Sequence, residues 1–105
     1  MHATVRRYEG VDVKGTDELK RKINDTLIPK LSKLPGFSSY YVIESDNGVF
    51  TSVGLFGTSA EADESSRVAA DWVREEKLEL TLPNAPRITG GKVFAHKMTN
   101  GTISA

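Results

Sequence analysis

The sequence predicts an α+β fold, a four-stranded antiparallel sheet with two helices on one of its faces. Three observations predict it. Two stretches carry apolar residues at helical spacing, each opened by a threonine followed by acidic residues. Between them, Phe37 to Phe56 alternates at strand period and is interrupted once, at Asn47-Gly48. A further strand-like run stands near each end. The order is strand, helix, strand, strand, helix, strand, the split βαβ or ferredoxin-like arrangement βαββαβ. Right-handed crossovers put both helices on the same side of the sheet.

The first strand spans Ala3 to Glu9, and Gly10 ends it. Thr16 is placed to cap the first helix, with Asp17 and Glu18 suited to its positive end. Leu19, Ile23, Leu27, Leu31 and Leu34 then form one apolar stripe. Pro29 lies within it and predicts a kink near the last turns, because its nitrogen carries no hydrogen. Phe37–Glu44 and Val49–Phe56 are the second and third strands, joined by a type I′ turn. Alternation puts Phe37, Ser39, Tyr41 and Ile43 on one face, and Ser38, Tyr40, Val42 and Glu44 on the other. Thr58-Ser-Ala-Glu61 has the form of a capping box. Its helix is expected to run to about Lys77 or Leu80, with Ala62, Ser65, Ala69, Trp72, Val73 and Glu76 sharing one face. The proline- and glycine-containing Thr81–Gly91 stretch reads as loop, and Lys92–Met98 as the last strand.

Both faces of the central hairpin carry large apolar groups, yet two helices cover only one. A second copy packed through the open face is the simplest cover, so a homodimer is expected. RNA is a poor alternative occupant. Phe37 to Gly57 contains no lysine or arginine, and an RNA platform needs cations beside its aromatics.

Composition bounds the rest. The 105 residues suit one domain, 1–105. Fourteen basic and fourteen acidic side chains cancel, which removes the electrostatic case for nucleic acid or an anionic membrane. Without cysteine there is no disulfide, thiolate metal site or thiol nucleophile, in keeping with a cytoplasmic protein. No apolar run suits a membrane span, and the first ten residues lack the apolar core of a signal peptide. The two histidines stand far apart with no carboxylate at ligand spacing, so no metal site is expected. No Walker loop and no nucleophile elbow occurs, and no cofactor is implied.

Six residues are candidates for a site. On the last strand, His96 can act as a general base, with Phe94 on its face. Arg6 can hold a carboxylate or oxyanion, and Tyr8 shares its strand face. Tyr41 can turn a hydroxyl into a pocket. Trp72 can stack on a flat ligand, although a lone tryptophan on a helical apolar face more often packs in the core.

Four phrases carry a resemblance: RRYEGVD (Arg6–Asp12), LPGFSSYYV (Leu34–Val42), RVAADWVRE (Arg67–Glu75) and LPNAP (Leu82–Pro86). Together they resemble small bacterial proteins of the dimeric α+β barrel superfamily, the group with antibiotic-biosynthesis-monooxygenase-like domains. The likeness spans about Thr4 to His96. It implies two sheets packed face to face and an apolar cavity in each half. It also implies, without choosing, a non-catalytic or small-molecule-binding protein, or a cofactor-independent monooxygenase acting on a phenol or quinol. Muconolactone-type isomerases belong to the wider group and would need an acid/base pair, such as His96 with Glu9 or Glu44. Haem-degrading relatives use an asparagine on an early strand, near Arg6 or Tyr8, and neither residue is asparagine here.

Overall fold

A computed structural model describes residues 1–99. Strand β1 (His2–Tyr8) is followed by α1 (Thr16–Lys22), a wide π-helical turn (Ile23–Leu27) and α2 (Ile28–Ser32), which run on as one helical rod. Then come β2 (Phe37–Ser45), β3 (Val49–Phe56), α3 (Ser59–Glu75) and β4 (Arg87–Lys92). All pairings are antiparallel and the sheet order is β2-β3-β1-β4, the ferredoxin-like order expected. Strand β1 is therefore internal, bonded to β3 on one side and β4 on the other. No helix among the described residues is long and apolar enough to cross a membrane.

The core lies between the sheet and the helices. Leu19, Ile23, Leu27 and Leu31 from the rod form one cluster with Phe50 of β3 and Ala69 and Trp72 of α3, and Phe56 and Ala62 are buried as well. Two contacts between rod and α3 are ionic, Lys30 with Glu75 at 2.9 Å and Lys22 with Glu76 at 3.6 Å. Such surface pairs contribute about 0.2–1 kcal/mol each, so the apolar contact dominates.

Several local expectations are corrected. Thr16 is not the helix cap. Asp12 instead caps a short 3₁₀ turn, Val13–Gly15, by accepting from the Lys14 amide, and Thr16 is the first residue of α1. The distortion tied to Pro29 precedes it as the π turn, in which the Ile28 amide donates to the Ile23 carbonyl five residues back. A proline ring clashes with the carbonyl four residues earlier, that of Asp25, and a widened turn there relieves the clash.

The hairpin turn has positive φ at both Asn47 (65°) and Gly48 (71°), as a type I′ turn requires. An irregularity between Phe37 and Ser39 shifts the β2–β3 register. One extra residue inverts the alternation, so Phe37 leaves the face of Tyr41 and packs edge-on against Phe56, ring centres 5.8 Å apart.

The last strand is Arg87–Lys92, not Lys92–Met98. Register explains this. Lys92 pairs with His2, and one further bond joins the Val93 amide to the Met1 carbonyl. There β1 runs out, so the more strand-prone KVFAHKM has no partner to pair with.

Helix α3 has the expected capping box, Thr58 and Glu61 each bonding the other's backbone amide. Its far end is a Schellman motif. The Leu78 amide donates to the Val73 carbonyl and that of Lys77 to Arg74, while Leu78 is buried. Lys77 therefore sits at φ 57°, a position that favours glycine. Lys77→Gly is expected to stabilise the fold by about 0.5–1 kcal/mol, read as a raised midpoint in urea. A lowered midpoint would contradict the assignment of this cap.

Candidate functional site

Residues of β1 alternate between the two faces. Thr4, Arg6 and Tyr8 point toward the helices, and Ala3, Val5 and Arg7 away. Arg6 is thus carried into the core by the internal strand and is only 2% exposed. Its Nη2 donates to the Tyr40 hydroxyl at 2.9 Å and its Nη1 to Ser66 Oγ on α3 at 3.3 Å. Thr4 Oγ1 lies 3.4 Å from the same Ser66 oxygen. Among the described residues no carboxylate pairs with Arg6.

Among the described residues, two buried side-chain atoms have no hydrogen-bond partner, Arg6 Nε and Ser52 Oγ. Arg6 and Ser52 are register partners across β1 and β3, so their side chains rise from the same face. Both line a small cavity of about 30 Å³. Its other polar members are Tyr8 and Tyr40, and the rest is apolar, with Leu27, Phe50 and Trp72 prominent. That volume admits one or two waters but no ring.

A larger cleft of about 280 Å³ lies on the β4 side, between α3, Ile88 and the Leu82–Pro86 segment. Arg6, Tyr8 and Leu82 line both spaces. The guanidinium spans them as well, since Tyr40 borders only the cavity and Ser66 only the cleft.

Trp72 is buried in the cavity wall. Its indole Nε1 donates to Thr26 Oγ1 at 2.7 Å, and Thr26 donates to the Lys22 carbonyl at 2.7 Å. Thr26 belongs to the π turn, so the widened turn supplies the oxygen that fixes the indole.

The structure brings together only some of the sequence candidates. Arg6, Tyr8 and Trp72 share the cavity. Tyr41 points to the open face and is 48% exposed, and its neighbour Tyr40 takes the inward place. Phe94 (94% exposed) and His96 follow the end of the ladder, exposed and away from the cavity lining. Glu9 and Glu44 pair at the surface with Arg7 and Lys20, so the acid/base pair of an isomerase is not assembled in this chain. Sequence reasoning missed Ser52 and Ser66. Ser52 had a readable signal, a hydroxyl between Phe50 and Gly54 on an otherwise apolar strand face. Ser66 lies beside the buried stripe of α3 and had none.

No protein-family model matches the chain, and no curated protein does either. Solved structures do. A proposed antibiotic biosynthesis monooxygenase from Nitrosomonas europaea superposes with a TM-score of 0.73 at 13% identity, over 90% of this chain and 100% of its own. A protein of unknown function from the same organism gives 0.71 at 17%, over 95% of each. A Streptomyces coelicolor monooxygenase, solved with the ligand nanaomycin D, gives 0.69 at 14%, over 94% of this chain and 92% of its own. The fold is thus that of the antibiotic-biosynthesis-monooxygenase-like proteins. Identities this low carry the fold alone.

Burial raises the Tyr8 pKa above the ordinary 10.0, and the nearby Arg6 charge opposes the rise without cancelling it. A folded-state pKa raised above the unfolded one contributes stability that is fully present below pH 10 and is lost as pH rises through the folded value. The stability of the wild-type protein is therefore expected to fall above about pH 10. Tyr8→Phe should flatten that fall and remove a late step from the ultraviolet titration of phenolate. A variant with an unchanged alkaline limb would contradict the burial of this hydroxyl.

Proposed function

We propose that the protein is a homodimer that binds a small aromatic molecule through an acidic oxygen, phenol or carboxylate, held by Arg6. The observation that carries this reading is the buried guanidinium with no carboxylate beside it. An unpaired buried cation is costly, and an incoming oxyanion is the partner that would compensate it. The orphaned Arg6 Nε and Ser52 Oγ offer two donors to the same oxygen. The cavity takes the oxygen, and the adjoining cleft, with Ala70, Val73, Leu82 and Ile88 in its lining, has room for the ring.

Probe binding tests the reading. The wild-type protein should bind 2-naphthol, followed by the naphthol's own fluorescence. Arg6→Met should weaken binding about 10- to 100-fold, the range for losing a charged hydrogen bond. The variant should still fold, because an apolar replacement leaves no buried charge behind. Equal affinity of the two proteins, or no binding by either, overturns the proposal.

The dimer rests on the open face. Tyr41 and Ile43 are about half exposed there, beside Val5, Val49, Val53 and Leu55. An apolar sheet face of this extent favours a second copy over water. Native mass spectrometry should give twice the 11.5 kDa chain mass. Val53→Asp should give a folded single chain, and a folded variant that keeps the double mass rules this face out.

A second reading is cofactor-independent oxygenation, favoured by the fold shared with the Streptomyces monooxygenase. In it a bound phenol loses its proton, stabilised as phenolate by Arg6, and reacts with O₂. One oxygen atom enters the ring and the other leaves as water with two hydrogens of the substrate, giving a quinone. One O₂ consumed per quinone formed, lost in Arg6→Met, would support turnover. Binding without oxygen uptake leaves the first reading alone.

A further inference from the structure

We propose that Leu82 is the specificity-determining residue of this site, a partition whose side chain sets how large a ring system can reach Arg6. The inference rests on the binding reading above. Three residues line both the 30 Å³ cavity and the 280 Å³ cleft: Arg6, Tyr8 and Leu82. Two of them are fixed. Arg6 and Tyr8 stand on the internal strand, where the ladders to β3 and β4 hold the backbone, and Arg6 is tied to Tyr40 and Ser66. Leu82 lies outside any strand or helix, and its buried side chain belongs to the apolar core cluster.

Its backbone is nevertheless well placed. The Leu82 amide donates to the Leu78 carbonyl at 2.8 Å, just behind the Schellman cap. On either side, the Thr81 carbonyl accepts from the Asp12 amide at 3.0 Å and Asn84 Nδ2 donates to the Glu9 carbonyl at 3.1 Å. Both ties hold the segment to the connector after β1. Leu82 thus hangs from a pinned backbone with a side chain free of hydrogen bonds, and a change of its rotamer breaks none. Such a change joins the two spaces.

Volume makes the partition matter. A cavity of about 30 Å³ takes the oxygen substituent of a ligand but not its ring, whereas roughly 150 Å³ is enough for benzene. The cleft therefore holds the ring body, and its oxygen reaches Arg6 Nε and Ser52 past Leu82. A narrow ligand passes with little rearrangement. A broad one must displace the isobutyl group. Truncating Leu82 should relax selection by size without touching the groups that hold the oxygen.

The test measures affinities for phenol, 2-naphthol and 1-hydroxypyrene, one chemical head on three ring bodies. Leu82→Ala should raise the ratio of hydroxypyrene to phenol affinity at least tenfold over wild type. Leu82→Phe should lower it. Should the alanine variant not fold, Leu82→Val should raise the ratio by a smaller factor. A uniform change for all three ligands, as a purely structural role would produce, overturns the partition. An unchanged ratio together with loss of 2-naphthol binding in Arg6→Met overturns the partition while the Arg6 site stands. Failure of all three ligands to bind the wild-type protein removes the binding reading, and the partition with it.

Discussion

Burying a guanidinium with no carboxylate beside it costs several kcal/mol, and around Arg6 the fold offsets that cost only in part, with neutral oxygens. Tyr40 and Ser66 accept from the two terminal nitrogens, and Nε is left without a partner. The position is enforced by topology. In the order β2-β3-β1-β4 the first strand is internal, so its helix-facing residues lie under the helices rather than at an edge. Arg6 is therefore buried beneath the helices, and its guanidinium borders the cleft beside Ser66. The contacts of Arg6 with Tyr40 and Ser66 follow from that placement of the strand, and so does the burial that raises the Tyr8 pKa against the Arg6 charge.

The rest of the site is held by a relay that begins at Pro29. Its ring is compatible with the helical rod because the turn before it is widened. That turn presents Thr26, whose hydroxyl bonds the Lys22 carbonyl and accepts the Trp72 indole. A buried indole with its N–H satisfied is fixed in rotation as well as position. The cavity wall opposite Arg6 is thus rigid for a reason that begins three residues beyond Thr26.

How much of this could be read in the sequence depends on the range of the interaction. Short-range signals transferred well: the Thr58–Glu61 capping box, the Asn47-Gly48 turn and the Leu19–Leu31 stripe each depend on neighbours within a few residues. The misplaced last strand shows the limit. KVFAHKM has the better strand composition, but a strand exists only where a partner lies, and after Lys92 the run has passed the end of β1 at His2. RITGGK, with two glycines and none of that composition, lies opposite β1 and becomes the strand. One bulged residue at the start of β2 likewise moved Phe37 to the helix face, and alternation alone cannot reveal a bulge. The site divided in the same way. Arg6, Tyr8 and Trp72 were legible from a polar pair on a strand face and a lone indole on a helix. Tyr40 and Tyr41 were separable only by which face the helices cover. Ser66 becomes a partner of Arg6 only through a tertiary contact across 60 residues of chain.

The chemistry left to such a site is narrow, and it is the same for a binder and for an oxygenase. The residues lining the cavity include Arg6, Tyr8 and Tyr40 but no carboxylate and no imidazole. An arginine is protonated throughout the working range and cannot accept a proton. With its pKa raised, Tyr8 stays a neutral phenol, able to donate a hydrogen bond but not to serve as a base near neutrality. What Arg6 could do is lower the pKa of a bound phenol, so that its proton passes to water, to a group the ligand carries or to Glu79 in the lining of the cleft. A ligand that ionises easily needs no more from the protein than that field and an apolar enclosure. One that does not will bind as the neutral phenol and stay unreacted. On the proposed binding reading, the boundary between binding and turnover would lie in the acidity of the ligand together with the few ionisable groups that line the two spaces.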